Sequence, residues 1–300
     1  MVNAVDLSQL PPPDIIETLD YEAILADKKA RFIAKYPQFA EVINLESEPA
    51  LKILEDGAYQ ELILRARYNQ EARELLLATA TGSNLDHIGI TYYNSQVRLL
   101  VTAGNALANP PTLDVFENDE EYRYRLSLQP EAYSVAGPRD AFVYHALTAS
   151  GQVKDAAPVS PYGGTTIVYV LSRLGDGTPS VALLNTVQAA LNGETIRPLS
   201  EEVLVQAASI QSYNINIGLV MYPGAISEIS VNHAIAQLTQ YVAYFHRLKG
   251  DINESAIKGK AYSAGVKRIV INAPLANIEC DSSQAPYCTS IVVNVVGVED

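Results

Sequence analysis

Leu51, Leu54, Ala58, Leu62, Ala66, Ala72 and Leu76 recur at helical spacing through more than twenty residues, with Gly57 the weak point inside the run. No feature of the chain constrains its fold more. An apolar stripe of that length commits the front of the molecule to a long helix that must lie against another helix. Ser47 stands ahead of it, Glu48 and Pro49 suit its first turn, and Gly82 suits a C-terminal cap. The pattern predicts one helix over residues 47–81, about 50 Å long at about 1.5 Å per residue. Two helices broken at Gly57 are the alternative. A strut of about that length exceeds what a compact domain needs and suits a bundle or an assembly.

A second helix is expected just before it. After Pro11–Pro13, Asp14 is placed to cap a helix that runs to about Tyr36, where Pro37 stops it. Ile16, Leu19, Ala23, Ala26, Ala30 and Ile33 fall at alternating three- and four-residue steps, a heptad stripe with alanine at its centre. Small residues allow close approach, so these six positions form a candidate helix–helix interface. The pattern leaves open whether the facing helix belongs to the same chain or to a partner.

The texture changes farther on. Ser83–Gly89 suits a short capped helix, Val97–Ala103 an extended segment, and Asn109–Thr112 a linker. Asn118 opens a helix with Asp119, Glu120 and Glu121 in its first turn, where the helix dipole favours negative charge. Pro138 begins a helix that Gly151 ends. Val153–Ala157 and Thr165–Leu171 read as strands about a Gly-Gly turn, Val181–Leu191 as a helix and Val203–Ala207 as a strand. Ile210–Met221 is a long alternating strand, and residues 226–245 and 252–263 are helical. Val266–Ile271 and Ser290–Val296 are strands, with Cys280 and Cys288 flanking what reads as the loop of a late hairpin. The fold class expected is α+β: an N-terminal long-helix region (1–95), then two small helix-on-sheet layers (96–208 and 209–300).

Composition excludes several roles. Among 300 residues, 34 acids against 21 bases give a net charge of −13. Such a chain is a poor ligand for nucleic-acid backbone or an anionic membrane, both of which require clustered Lys and Arg. The start lacks a basic stretch followed by an apolar one, and no run of about 18 apolar residues exists, so neither a secretory signal nor a spanning helix is expected. Two cysteines without CxxC spacing suit reduced thiols better than a scaffold, although a bridge between Cys280 and Cys288 is geometrically open.

Motifs for chemistry are equally sparse. His87, His145, His233 and His246 are scattered without a ligand partner at i+4, so no metal is expected. His145 and His246, set among aromatic and aliphatic residues, read as partly buried structural histidines. No G-x-S-x-G or P-loop occurs, and no cofactor is expected. Asp119, Glu120 and Glu121 are the one carboxylate cluster worth weighing for glycoside hydrolysis, but their place after Asn118 already has a capping cause. Eighteen tyrosines against five phenylalanines and no tryptophan suit interfaces with one wet side.

Four ordered segments carry a resemblance. TGSNLDHIGITYYNSQVRL (81–99), ENDEEYRYRL (117–126), GPRDAFVYHALTASGQVKDAAPVSPYGGTTIVYVL (137–171) and KGDINESAIKGKAYSAGVKRIVINAP (249–274) resemble the baseplate J-like family of contractile-tailed bacteriophages. The opening DLSQLPPPDIIETLDYEAI is similar to that family's N-terminal stretch. The family's "G-x-x-LD" element matches Gly82–Asp86 ahead of Arg98. Its "ED-x-x-YR-x-R" helix matches from Asn118, with Asn118-Asp119 in place of Glu-Asp. The resemblance implies a non-enzymatic structural component of the baseplate wedge, a late protein assembled in the host cytoplasm and resident in the virion tail. It implies as partners the tail protein I, the small lysozyme-like wedge protein W and a second copy of the chain, two per wedge. The N-terminal helices would join a partner bundle, and the C-terminal layers would link wedges into a ring around the spike hub. The alternative is a tail-associated glycan hydrolase with Glu120 or Glu121 as the acid.

Overall fold

The computed structural model describes residues 19–134, 136–224 and 227–299. The chain divides into two compact units on either side of Val97 and Arg98.

The first unit is helical. Helix α1 (Tyr21–Lys35) starts at Asp20, whose carboxylate accepts from the Ala23 N–H at 3.0 Å. The expected cap, Asp14, lies outside the described residues, and the capping geometry belongs to Asp20 because Leu19 and Asp20 are already out of the helix. Helix α2 (Pro49–Arg73) begins at Glu48 with proline at its first position. Gly57 does not break it, but it runs 25 residues, about 38 Å, and stops well short of residue 81. The cause is Glu74. Its carboxylate accepts from the Thr81 N–H at 2.9 Å and the Asn84 amide at 3.2 Å, folding the chain back on itself. Gly82 therefore opens α3 (Gly82–Tyr92) at φ +50° instead of capping α2. Tyr21, Ile24 and Leu25 of α1 pack on Leu54, Ala58 and Leu62 of α2, and Lys28 reaches Glu61 at 2.8 Å across the pair.

The second unit begins with a small ribbon, β1 (Leu100–Thr102) against β2 (Val115–Phe116). Helices α4 (Asp119–Leu128) and α5 (Arg139–Ala149) lead into β3 (Val153–Tyr162), β4 (Thr165–Ser172), α6 (Val181–Leu191) and β5 (Glu202–Ala207). β4 is central, antiparallel to β3 and parallel to β5 across the α6 crossover. Phe142, Val143 and Leu147 of α5 and Leu183, Val187 and Leu191 of α6 bury against Val153, Val168, Val170 and Val203.

A second layer follows: β6 (Ser209–Met221), α7 (Ser227–Phe245), α8 (Glu254–Ala261), β7 (Val266–Ala273) and β8 (Gln284–Val298). β6 is central here, antiparallel to β7 and parallel to β8. The Cys280–Cys288 segment is therefore not the loop of a hairpin. β7 and β8 lie on opposite edges of β6, because Ile215, Ile217 and Leu219 of β6 hold the middle of the core under Leu238, Tyr241 and Ile257. Both cysteines are free. Each layer is a three-stranded sheet with helices packed on it, the α+β architecture expected, and the layers meet at a seam of Leu171, Ala208, Leu248 and Ala285.

Candidate functional site

Arg98, Glu117, Asp119, Tyr122 and Arg125 converge where the ribbon joins α4. Asn118 caps this helix through a reciprocal capping box: its side chain accepts from the Glu121 N–H at 2.9 Å, and Glu121 accepts from the Asn118 N–H at 3.3 Å. The cap fixes the turn that aims Glu117 inward. There Arg125 grips it with two donors, Nε to Oε1 at 3.0 Å and Nη2 to Oε2 at 2.7 Å, with neither residue more than 4% exposed. The same carboxylate accepts from the Leu99 N–H at 3.0 Å, and Arg98 donates to the Glu117 carbonyl at 3.0 Å and to Asp119 at 2.6 Å. Both guanidinium groups lie against the buried Tyr122 ring, Arg98 at 5.0 Å and Arg125 at 5.4 Å from its centre.

Arg173 ties this hub to the first sheet layer through Glu121 and the Gly151 carbonyl, the latter at 2.7 Å. Gly151 has no room for a side chain: a Cβ there would stand 2.8 Å from the Leu100 carbonyl carbon. The base of the ribbon is thus planted in the unit by ion pairs, backbone hydrogen bonds and close packing.

Such a constellation positions structure and is poorly suited to proton transfer. Asp119 and Glu121 are committed to arginines, and Glu120 is exposed beside them. Among the described residues no group of three or more His, Cys, Asp or Glu is placed to hold a metal, and no helix is long and apolar enough to cross a membrane. Burial lowers the pKa of His145 and His246, and His246 Nδ1 sits 2.8 Å from the Pro286 carbonyl, as expected of structural histidines.

The interface stripe is placed differently from a packed seam. Ile16 lies outside the described residues; Leu19, Ala23, Ala26 and Ala30 are exposed, and Ile33 is half-buried. α1 turns its Ile24 and Leu25 to α2 instead. On α2 a shallow groove of about 690 Å³ runs past Gln60, Leu64, Tyr68 and Ala72, with Leu64 and Tyr68 exposed. The buried partnership of Glu117 with Arg125 had no sequence signal of its own, since Glu117 precedes the helix. The one hint was Tyr122 and Arg125, at i and i+3, sharing a face with Leu126.

Comparison with known proteins adds the relationship. The baseplate J-like N-terminal domain matches residues 46–105 and the baseplate J-like central domain residues 134–207. Over 301 aligned residues, 99% of each chain, the sequence is 43% identical to a protein named baseplate protein J from Escherichia phage P2.

Proposed function

Because this chain belongs to the baseplate J-like family of phage proteins, we propose that it is a structural component of the baseplate wedge in a contractile tail. The observation that carries this reading is the near full-length relationship to a baseplate protein. The relationship supports a structural part in the phage baseplate, hence in the virion tail, and a role without catalysis. The finer reading is a chain assembled in the host cytoplasm whose division of labour follows regions 1–95, 96–208 and 209–300. The first region joins tail protein I and the small lysozyme-like wedge protein W through exposed helix faces. The other two connect wedges into a ring around the spike hub, with two copies of the chain per wedge.

Two features support it. The exposed Leu19–Ala23–Ala26–Ala30 stripe of α1 offers small side chains for close helix approach. Of the two acids that the glycan-hydrolase alternative names, Glu121 is held by Arg173 and Glu120 is exposed on the helix surface, so no observation favours that alternative. Light scattering after size exclusion, on the chain alone and co-expressed with the two tail proteins, tests the reading. Co-elution as a heteromer of defined mass is expected; a lone monomer in every mixture would overturn it.

A further inference from the structure

Among the described residues, β8 ends its sheet differently from the other outer strands of the two layers. Each of those is blocked. On β5 the Gln188 side chain of α6 takes the place of a neighbouring strand, accepting from the Val205 N–H at 2.7 Å and donating to the Val203 carbonyl at 2.6 Å. β3 carries Pro158 and Pro161, which offer no N–H, and Arg139 donates to the Pro158 carbonyl at 2.8 Å. β7 carries Lys267 and Arg268, and the Tyr262 hydroxyl donates to the Lys267 carbonyl at 3.2 Å. Charges, prolines and side-chain cover of this kind keep an exposed edge from pairing with another chain.

β8 is blocked at its start. There the Lys249 N–H donates to the Gln284 carbonyl at 3.0 Å, and His246 Nδ1 lies 2.8 Å from the Pro286 carbonyl. The Ser290 carbonyl accepts a weak bond from the Cys288 thiol at 3.3 Å. Past it, residues 291–298 hold no charge and no proline, and five of the eight are valine. Val293 alone among them is buried; Val292 and Val295 are 40% exposed, Val296 56% and Val298 62%. The ladder with β6 is regular from Ser290 to Val295, which leaves a row of backbone groups facing away from the sheet.

The order of residues selects what this edge accepts. Residues 292–296 read Val-Val-Asn-Val-Val, the same in both directions. Two copies laid edge to edge about a two-fold axis run antiparallel. An axis through Asn294 sets Val292 opposite Val296, Val293 opposite Val295 and Asn294 opposite itself. Each of these valines meets a β-branched partner and the two amides meet each other, pairs that stabilise an antiparallel ladder. Moving the register by one residue sets valine against asparagine. The same axis pairs Val298 with Ser290, short of the blocked start. This symmetry is a property of the strand paired with itself, and no other partner calls for it.

Charge permits the contact. Residues 209–300 hold seven acids and six bases, so almost all of the net −13 resides elsewhere in the chain, and two copies approach through this layer with little repulsion. Glu299, next along the chain, is held by Arg268 at 2.6 Å and falls opposite Thr289, not opposite its own copy.

We infer that the outer edge of β8, residues 290–298, pairs antiparallel with the same edge of a second copy of this chain, joining two second layers into one six-stranded sheet. The contact is self-matching and closes at a pair. It deepens the self-association in the proposed function, rests on that reading, and uses region 209–300, leaving the helical region to other partners.

Asn294→Cys, in a full chain carrying Cys280→Ala and Cys288→Ala, tests it. The thiol then stands on the axis, where facing Cα atoms lie about 4.5–5.5 Å apart, within disulfide range. Mild oxidation of the purified chain and of assembled tails is expected to give a product of twice the chain mass. Ser290→Cys in the same background stands about 26 Å from its own copy and is expected to stay single. No dimer from position 294, or equal dimer from both positions, would overturn the pair while leaving the baseplate role standing. Absence of the wild-type chain from tails would instead overturn the proposed function. Val292→Lys with Val296→Lys sets lysine against lysine and is expected to weaken self-association about tenfold or more in sedimentation, with the melting temperature unchanged. Val292→Lys with Val296→Glu sets lysine against glutamate and is expected to restore it. Equal self-association in these two folded variants would refute the contact.

Discussion

Arg125 and Glu117, eight residues apart and on either side of a helix start, form a two-pronged ion pair at 2.7 and 3.0 Å in the interior of the second unit. Removing one member strands the other's charge in a dry site. Arg125→Ala is therefore expected to cost about 3–5 kcal/mol of unfolding free energy. The double change Glu117→Leu with Arg125→Met, which removes both charges, should recover most of that loss. Urea denaturation followed by circular dichroism measures both. Equal losses in the single and double variants would show that packing, not charge, holds the site.

The exposed and buried alanines of the helical unit separate assembly from folding. Ala30 is exposed on α1, so Ala30→Glu should change the melting temperature little while reducing incorporation into baseplates. Ala58 is fully buried between α1 and α2. Ala58→Leu overfills that contact and should cost about 1–3 kcal/mol. Thermal melts paired with baseplate yield distinguish the two, and normal yield from Ala30→Glu would remove the stripe from the interface.

Gly151 lets the α5–β3 turn lie against the ribbon base. Gly151→Ala would push a methyl to within 3.2 Å of the Leu99 side chain and 2.8 Å of the Leu100 carbonyl carbon. A loss of about 1–3 kcal/mol is expected, together with faster hydrogen exchange at the Leu99 amide that Glu117 holds. Slow exchange at Leu99 in the variant would mean that the ribbon base does not depend on this approach.

The layer seam should respond to pH through Asp155. Its carboxyl accepts from the Leu248 N–H at 3.0 Å and the Ala156 N–H at 2.8 Å. Desolvation nevertheless pushes its pKa up to about 6, despite those bonds and nearby Arg247 and Lys154. The folded chain thus holds this proton more tightly than the unfolded chain does, so the group's contribution to stability falls as pH rises from about 4 to about 6. One proton corresponds at most to about 1.4 kcal/mol per pH unit. His246, lowered by burial, works in the opposite sense, losing stability as pH drops through its ordinary range. Asp155→Asn isolates the first effect: the wild type's advantage over the variant should be larger at pH 5 than at pH 7. A pH-independent difference would falsify the assignment.

Local rules read well wherever one residue decides the outcome. Ser180 and the apolar spacing behind it placed α6 at Val181–Leu191, and Asn118 announced the start of α4. Long-range choices were less legible. Nothing local says that the strand after Val266 and the one after Gln284 would flank β6 instead of pairing with each other, since that choice belongs to the core under Ile217 and Leu219. The end of α2 was hidden similarly: the decisive bonds run from Glu74 to Thr81 and Asn84, beyond helical reach. On α1 the alanine periodicity competed with Ile24 and Leu25, and the larger side chains won the contact with α2 because they bury more apolar area. The ribbon hub was divided across four short segments, so its members were visible singly and their meeting was not.

The strand order of the second layer also sets a timetable. β6 lies in the middle of its sheet, yet β8, which covers one of its edges along thirteen paired positions, follows α7, α8 and β7 in the chain. During synthesis β6 leaves the ribosome before β8 and waits, with a long row of backbone N–H and C=O groups unpaired, until residue 284 and its successors arrive. A nascent chain interrupted in that interval is an aggregation hazard. The layer is therefore completed only once residues 284–298 have been made, so that chains truncated before them are poor competitors for a place beside finished copies.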